Sequence, residues 1–339
     1  MIYPKFLSDH ATVGICAPSA GVGHKIESFD SSLKVLRAQG WKVWETEHVR
    51  VDSLRGGSAK ERADELMSLF ALDAVDAVFA AAGGDFLSEI LPLIDWQVIA
   101  DHPKWFMGAS DPTGILYPVT TICDIATLYG SNGGSFDATV PSDDGGVRLP
   151  EYLGNMLRIL KGDLPAQETG SAYLGSDIFQ IEEGPLIFSR PTVYQANCDA
   201  MKVKGRCIGG CIDVLKDLIG TRFDRTADFI RRYREDGFIW YFDNFALSSA
   251  VLYRTLLQMR YAGWISPETT RAVLIGRTLF ENIECEMDYG EAIRTALSDI
   301  PVIWEMDIGH TVPHFSMING AMLHVDWDGK KARLKFDLT

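Results

Sequence analysis

Histidine is sparse in this chain: seven in 339 residues, at positions 10, 24, 48, 102, 310, 314 and 324. Chemistry that needs an imidazole therefore has few candidates, and each can be weighed singly. Cysteine is equally thin. The six thiols lie at 16, 123, 198, 207, 211 and 285, and only Cys207 and Cys211, in CIGGC, are close together. Metal knuckles use tighter spacing and a second Cys or His pair nearby, so a zinc site is not expected. Reduced, mostly buried thiols are expected instead. Long apolar runs are missing: none approaches the roughly 20 residues needed to cross a bilayer. The opening stretch MIYPKFLSDHATVGICAPSAG lacks a basic start followed by a long apolar core. It does not resemble a secretory leader, and a cytoplasmic location is the expectation. Positive charge is in deficit, with 32 Lys and Arg against 46 Asp and Glu and a net charge of −14. Nucleic acid and anionic membranes repel such a chain, so neither is expected as a partner. There is no internal repeat and no low-complexity tract.

What is present is the composition of a globular protein, 47% hydrophobic and 23% charged, long enough for two domains. The first half alternates between two periods. ATVGICAPS is an apolar strand ending in small residues. KIESFDSSLKVLRAQG carries apolar residues at helical spacing and stops at Gly40. WKVWETE alternates as a strand does. SAKERADELMSLFAL opens on a Ser cap and predicts an amphipathic helix. VDAVFAAAGG and KWFMGAS are further strands, and FLSEILPLIDWQVIADHP is a helix interrupted at Pro92. PEYLGNMLRILKG adds another helix. This rhythm predicts an α/β fold with a Rossmann-like (flavodoxin-like) parallel sheet, whose ligands bind beyond the carboxyl ends of the strands. Three loops meet there: Ala17 to Gly21, Gly83 to Asp85, and Ser110 to Thr113. Residues 163–190 hold Pro, Gly, Ser and acids without helical period. The domain assignment is therefore 1–165 for the parallel-sheet domain, 166–190 for a linker and 191–339 for a smaller, mixed, β-rich α/β domain. The last segment, AMLHVDWDGKKARLKFD, predicts a hairpin around Asp-Gly.

The stretch WFMGASDPTG (105–114) raises the chemical question. Gly108 and Ala109 are the small neighbours that a serine on a strained strand-to-helix turn requires. Pro112 departs from the usual G-x-S-x-G spacing but suits a first helical turn. Ser110 is thus a nucleophile on an elbow, or Ser110 or Asp111 merely caps the helix. AAAGGDF (80–86) places two glycines at a strand end, where a backbone N–H can approach a substrate. Paired with the N–H of Asp111, it could form an oxyanion hole. A phosphate cradle is the rival, but no Lys follows. Ordinary turn chemistry is the third reading. Among the histidines, His310 in DIGHTVPHF follows an apolar strand and a glycine. His314 lies four residues on with Pro313 between, which disfavours a helical metal pair. Asp243 ends the apolar strand of GFIWYFDNF and could orient an imidazole or simply face solvent.

Together these pieces resemble the LD-carboxypeptidase family of serine peptidases (family S66), closest to its branch around the microcin C immunity protein. Carrying the resemblance are the E-R-A helix, the Gly-Gly loop, LPLID, HPK and GASD between residues 56 and 116. GRCIGGCIDVLKDLIGT, GFIWYFDN and IPVIWEMDIGHT extend it through the second half. The resemblance implies a Ser-His-Glu triad: Ser110 as nucleophile, His310 as base, and the acid at Asp243, one methylene shorter than the family's Glu. It implies an oxyanion hole from Asp111 and Gly84, with Gly83 and Asp85 toward the substrate. It implies no metal or organic cofactor, a homodimer, and a small substrate: a murein tetrapeptide, or a peptidyl or aminoacyl nucleotide. Ala82, Ser131 and Cys211 stand where the family more often has Arg, Pro and Asn. Two other classes stay open: a peptide-binding protein, catalytically weak or inactive, on the same scaffold, and a nucleotide- or flavin-binding sheet protein.

Overall fold

The computed structural model describes residues 1–180 and 184–339. The chain divides into two compact units, Met1–Asp163 with Ser316–Gly320, and Leu164–Phe315 with Ala321–Thr339.

The first unit is built on β1 (Thr12–Cys16), β2 (Lys42–Glu45), β3 (Ala77–Ala80), β4 (Trp105–Gly108) and β5 (Thr127–Tyr129). Spatial order runs β5-β4-β3-β1-β2, all parallel. Every residue of β1, β3 and β4 is buried, because helices cover both faces of such a sheet; hence their largely apolar runs. Edge strand β2 alternates exposed and half-buried residues. The helices are α1 (Ile26–Arg37), α2 (Ala59–Ala71), α3 (Trp96–Asp101), α4 (Thr113–Cys123) and α5 (Glu151–Leu160). In α2 the Ser58 cap forms a complete capping box with Glu61, which satisfies two N–H groups at the helix start. Pro92, with no N–H to give, leaves only a 3₁₀ turn over Leu87–Leu93 before Asp95 caps α3.

The second unit holds β6 (Met201–Cys211), β7 (Phe238–Asp243), β8 (Thr270–Gly276), β9 (Val302–Met306), β10 (Met322–Trp327) and β11 (Ala332–Asp337), with α6 (Ile212–Leu218), α7 (Thr226–Arg232), α8 (Ser249–Tyr261) and α9 (Tyr289–Ala296). The mixed sheet runs β9-β8-β7-β6-β10-β11, flanked by short strands Gln195–Ala196 and Gln167–Glu168. β6 joins its two halves. Met201–Arg206 pairs antiparallel with β10, and Arg206–Cys211 pairs parallel with β7. Its burial follows: mixed at first, then continuous from Gly205. The hairpin β10–β11 forms as the Asp-Gly turn predicts.

Two expectations change. Residues 316–320, assigned to the second domain from sequence, belong to the first unit, where Met317–Asn319 pairs antiparallel with β5. A three-residue segment, Met-Ile-Asn, carries no sign of its distant partner. The second unit is also no smaller than the first. The stretch assigned as linker, 166–190, contains residues 181–183, outside the described residues. On either side it contributes pairing to the second unit: Gln167–Glu168 on β11, and Ala172–Tyr173 against Arg190–Pro191.

Candidate functional site

In the first unit the carboxyl ends of β1, β3 and β4 meet as the α/β rhythm predicts. Ser110 follows β4 with φ of +66°, a left-handed conformation that costs a non-glycine residue roughly 1–2 kcal/mol. The backbone around it is fixed by name. Ser110 N–H donates to the Tyr129 hydroxyl at 3.2 Å, and Ala109 N–H donates to Asn132 Oδ1 at 3.0 Å. Asn132 Nδ2 returns a bond to the Ala109 carbonyl at 3.3 Å. The N-cap position of α4 falls on Pro112, with no side-chain cap bond, and the Asp111 carboxylate bonds to other loops instead. Glycines make the room. A Cβ at Gly108 would lie 2.7 Å from Pro112 Cβ, and one at Gly83 would lie 3.0 Å from Ser110 Cβ and 3.3 Å from its Oγ. Gly84, with φ of +148°, would drive a Cβ to 2.3 Å from Ser19 Oγ.

The carboxylate of Asp111 does something the sequence did not reveal. It is buried, and accepts from Leu87 N–H at 2.9 Å and from the Ser19 hydroxyl. Burial raises its pKa, against the lowering effect of those two bonds. One side chain thus ties the loops after β1, β3 and β4 together. Ala20 N–H adds a bond to the Gly83 carbonyl at 3.1 Å. Arg62 of the E-R-A helix lies beneath, fully buried. Its Nη1 donates to the Pro18 and Phe86 carbonyls at 3.1 and 2.9 Å, and its Nη2 pairs with Glu89 at 2.5 Å. The signal for Arg62 was its place on the apolar stripe of α2, four and seven residues before Leu66 and Leu69. The Asp85 side chain faces solvent.

In the second unit Asp243, at the end of β7, is completely buried. Its Oδ1 accepts from the His310 backbone N–H at 3.3 Å, and its Oδ2 lies 2.8 Å from His310 Nδ1. That second approach is an ion-pair distance, skewed from a straight hydrogen bond. The short acid reaches the imidazole because the backbone comes to it. Gly309 has φ of +97°, and a Cβ there would fall 1.8 Å from Asp243 Oδ1. Burial alone would lower the His310 pKa, but the negative charges of Asp243 and Asp213 outweigh it and the net shift is upward. The Phe245 ring covers the imidazole at 4.6 Å between centroids. Asp213 and Phe245 were not singled out from sequence, and Gly309 was noted only as the residue before His310; each acts through a contact with a residue far along the chain. His314 is buried and its pKa falls to about 4, chiefly through burial. All six cysteines are free, and among the described residues no group of three or more His, Cys, Asp or Glu is placed to hold a metal. Among the described residues, too, no helix is long and apolar enough to cross a membrane.

Comparison with known proteins agrees in both halves. Residues 13–130 match the family model described as the LD-carboxypeptidase N-terminal domain, and residues 204–325 match that of the LD-carboxypeptidase C-terminal domain. The Microcin C7 self-immunity protein MccF of Escherichia coli is 24% identical, over 94% of this chain and 91% of that protein. The structure of MccF with aspartyl sulfamoyl adenosine superposes with a TM-score of 0.83 at 21% identity, covering 100% of this chain and 99% of that one. A muramoyltetrapeptide carboxypeptidase from Oxalobacter formigenes gives 0.73 at 18% identity, covering 96% and 98%.

Proposed function

Because this chain belongs to the LD-carboxypeptidase family, we propose that it hydrolyses an amide bond through Ser110, His310 and Asp243. The Ser110 hydroxyl proton passes to His310 Nε2 as Oγ attacks the substrate carbonyl carbon. The carbonyl electron pair moves onto oxygen, which the backbone N–H groups of Asp111 and Gly84 receive. The C–N bond breaks, and the leaving nitrogen takes the proton from His310. Water then gives a proton to His310 and attacks the acyl carbon; the Ser110 oxygen leaves with that proton. The sum is amide plus water to acid plus amine. Asp243 holds the imidazole orientation and stabilises its positive charge. Gly83 and Asp85 border the substrate.

The observation that carries the reading is the Asp243–Gly309–His310 arrangement. A buried carboxylate meets both the backbone and the ring of one histidine, across a position where no side chain fits. Ser110, strained beside Gly83 and Gly84, supports it from the first unit. The substrate is an aminoacyl or peptidyl nucleotide, or a murein tetrapeptide cut before its terminal D-alanine. We take the enzyme to be a cytoplasmic homodimer; a monomeric mass in sedimentation would contradict the dimer.

The test is product analysis by mass spectrometry, on the wild type and Ser110→Ala. A murein L,D-tetrapeptide and an aminoacyl sulfamoyl adenosine are incubated in separate tubes. Free D-alanine from the first, or free amino acid from the second, with the wild type alone, is the expected outcome and names the substrate. No product from either would favour a binding protein on the same scaffold, and an active Ser110→Ala would remove Ser110 from the mechanism.

A further inference from the structure

Asp213 lies in the first turn of α6, just after β6 ends, and is largely buried. Its carboxylate faces the loop that follows Asp243. Oδ2 accepts the Phe245 N–H at 3.0 Å, and Oδ1 accepts the Ala246 N–H at 3.1 Å. Each oxygen takes one backbone donor, so the loop is gripped at two adjacent residues. Asn244 tightens the same turn: its Oδ1 accepts Leu247 N–H at 3.1 Å and its Nδ2 donates to Thr278 Oγ1 at 2.8 Å. The outcome is a fixed direction for the Phe245 side chain. Its ring packs on the His310 imidazole, tilted by 48°, and meets Phe280 edge-on at 5.3 Å. Asp243 restrains the imidazole at Nδ1, and Phe245 restrains its face.

We propose that Asp213 is a positioning residue for His310, acting through the Phe245–Ala246 backbone to hold the Phe245 ring against the imidazole. The inference rests on the reading of His310 as the general base. It gives that base a second support, on the face of its ring. A base held on one atom alone can swing about that contact; a ring across its face removes the swing. Near-attack geometry is sensitive to such freedom, because a displacement of about 1 Å at a catalytic group costs on the order of 10²-fold. The charged and titratable groups facing His310 are Asp243, Asp213 and His314. Of these Asp213 alone grips the loop that carries Phe245.

The decisive variants are Asp213→Asn and Phe245→Leu, with their double variant. Asp213→Asn keeps the shape but presents an amide NH₂ where an oxygen accepted, so one of the two backbone bonds is lost. Phe245→Leu keeps both backbone bonds and removes the ring, and so tests the same support without disturbing the clamp. Two readouts are taken. The first is the NMR signal of the His310 imidazole protons, which the Phe245 ring current displaces whether or not a substrate is turned over. The second is kcat and KM on whichever substrate the wild type cleaves. Asp213→Asn is expected to move the imidazole resonances in the same direction as Phe245→Leu. It is expected to lower kcat about tenfold with KM nearly unchanged, and the double variant is expected to be no worse than Phe245→Leu alone. Imidazole resonances that stay in place in Asp213→Asn, or losses that simply add in the double variant, would overturn the proposal. If the wild type cleaves neither substrate, the hydrolase reading fails, and the NMR readout still decides whether Asp213 positions the ring.

Discussion

Replacing Gly309 by alanine should disable the site with a single methyl group. The new Cβ would lie 1.8 Å from Asp243 Oδ1 and 2.1 Å from Asp243 Cγ. Real contacts of that kind stay beyond 3.0 Å, so the carboxylate must retreat by about 1 Å, a displacement worth on the order of 10²-fold in rate at a catalytic group. Asp243 is completely buried, so any retreat pushes into close-packed neighbours. The pair with His310 must part, and a parted buried pair costs about 3–5 kcal/mol. The backbone adds about 1–2 kcal/mol, because alanine resists the left-handed conformation. Gly263 separates the two effects. Its φ is +78° and a Cβ there meets nothing within 4 Å, so Gly263→Ala carries the backbone cost without the collision. The assay is thermal denaturation together with kcat/KM. Gly263→Ala should lose a few degrees in Tm at full activity. Gly309→Ala should lose clearly more and fall by 10² to 10⁴ in kcat/KM, on the order expected when the acid is misplaced or lost. Equal behaviour of the two variants would refute the close approach of backbone and acid.

Asp243→Glu should lower both activity and Tm, because the extra methylene has no room between β7 and Gly309; a gain in kcat/KM would show that the short acid is a defect and not an adaptation. Ser110→Gly should raise Tm by relieving the left-handed serine, by about 1 kcal/mol, while abolishing turnover; a lowered Tm would contradict the strain. His314 is held neutral, with its pKa lowered from 6.5 to about 4. The unfolded chain therefore binds a proton that the folded one refuses, and stability is lost as pH falls from about 6.5 toward 4, by ~3 kcal/mol in all. Denaturant melts across that range should show His314→Gln with a flatter acid limb than the wild type; identical slopes would oppose this.

The chain displays its local rules openly. Both faces of β3 and β4 are covered, so their residues are apolar without interruption. Ser58 and Glu61 form a cap that any reader of four consecutive residues can see, and Pro92 breaks a helix by its own chemistry. Ser110 was legible as a turn residue, since Gly108, Ala109 and Pro112 surround it, but its left-handed backbone was not. The less legible features are those in which one residue acts on another far away. Asp213 grips a loop 32 residues on, Asp111 binds Ser19 across 92 positions, and Gly309, in the loop after β9, is required by a carboxylate at the end of β7. No periodicity records such pairings. Residues 316–320 were misassigned for the same reason: their partner, β5, lies almost two hundred residues earlier.

That late segment bears on how the chain is made. A ribosome delivers Met1–Asp163 long before Met317–Asn319, so β5 waits with an unpaired edge while the second unit is still being synthesised. An open edge of residues meant for burial invites the wrong strand, and contacts this distant in sequence form slowly. A fragment ending at residue 163 would carry the same exposed edge permanently. For this protein, the N-terminal half is an unfinished sheet until the last tenth of the chain has emerged.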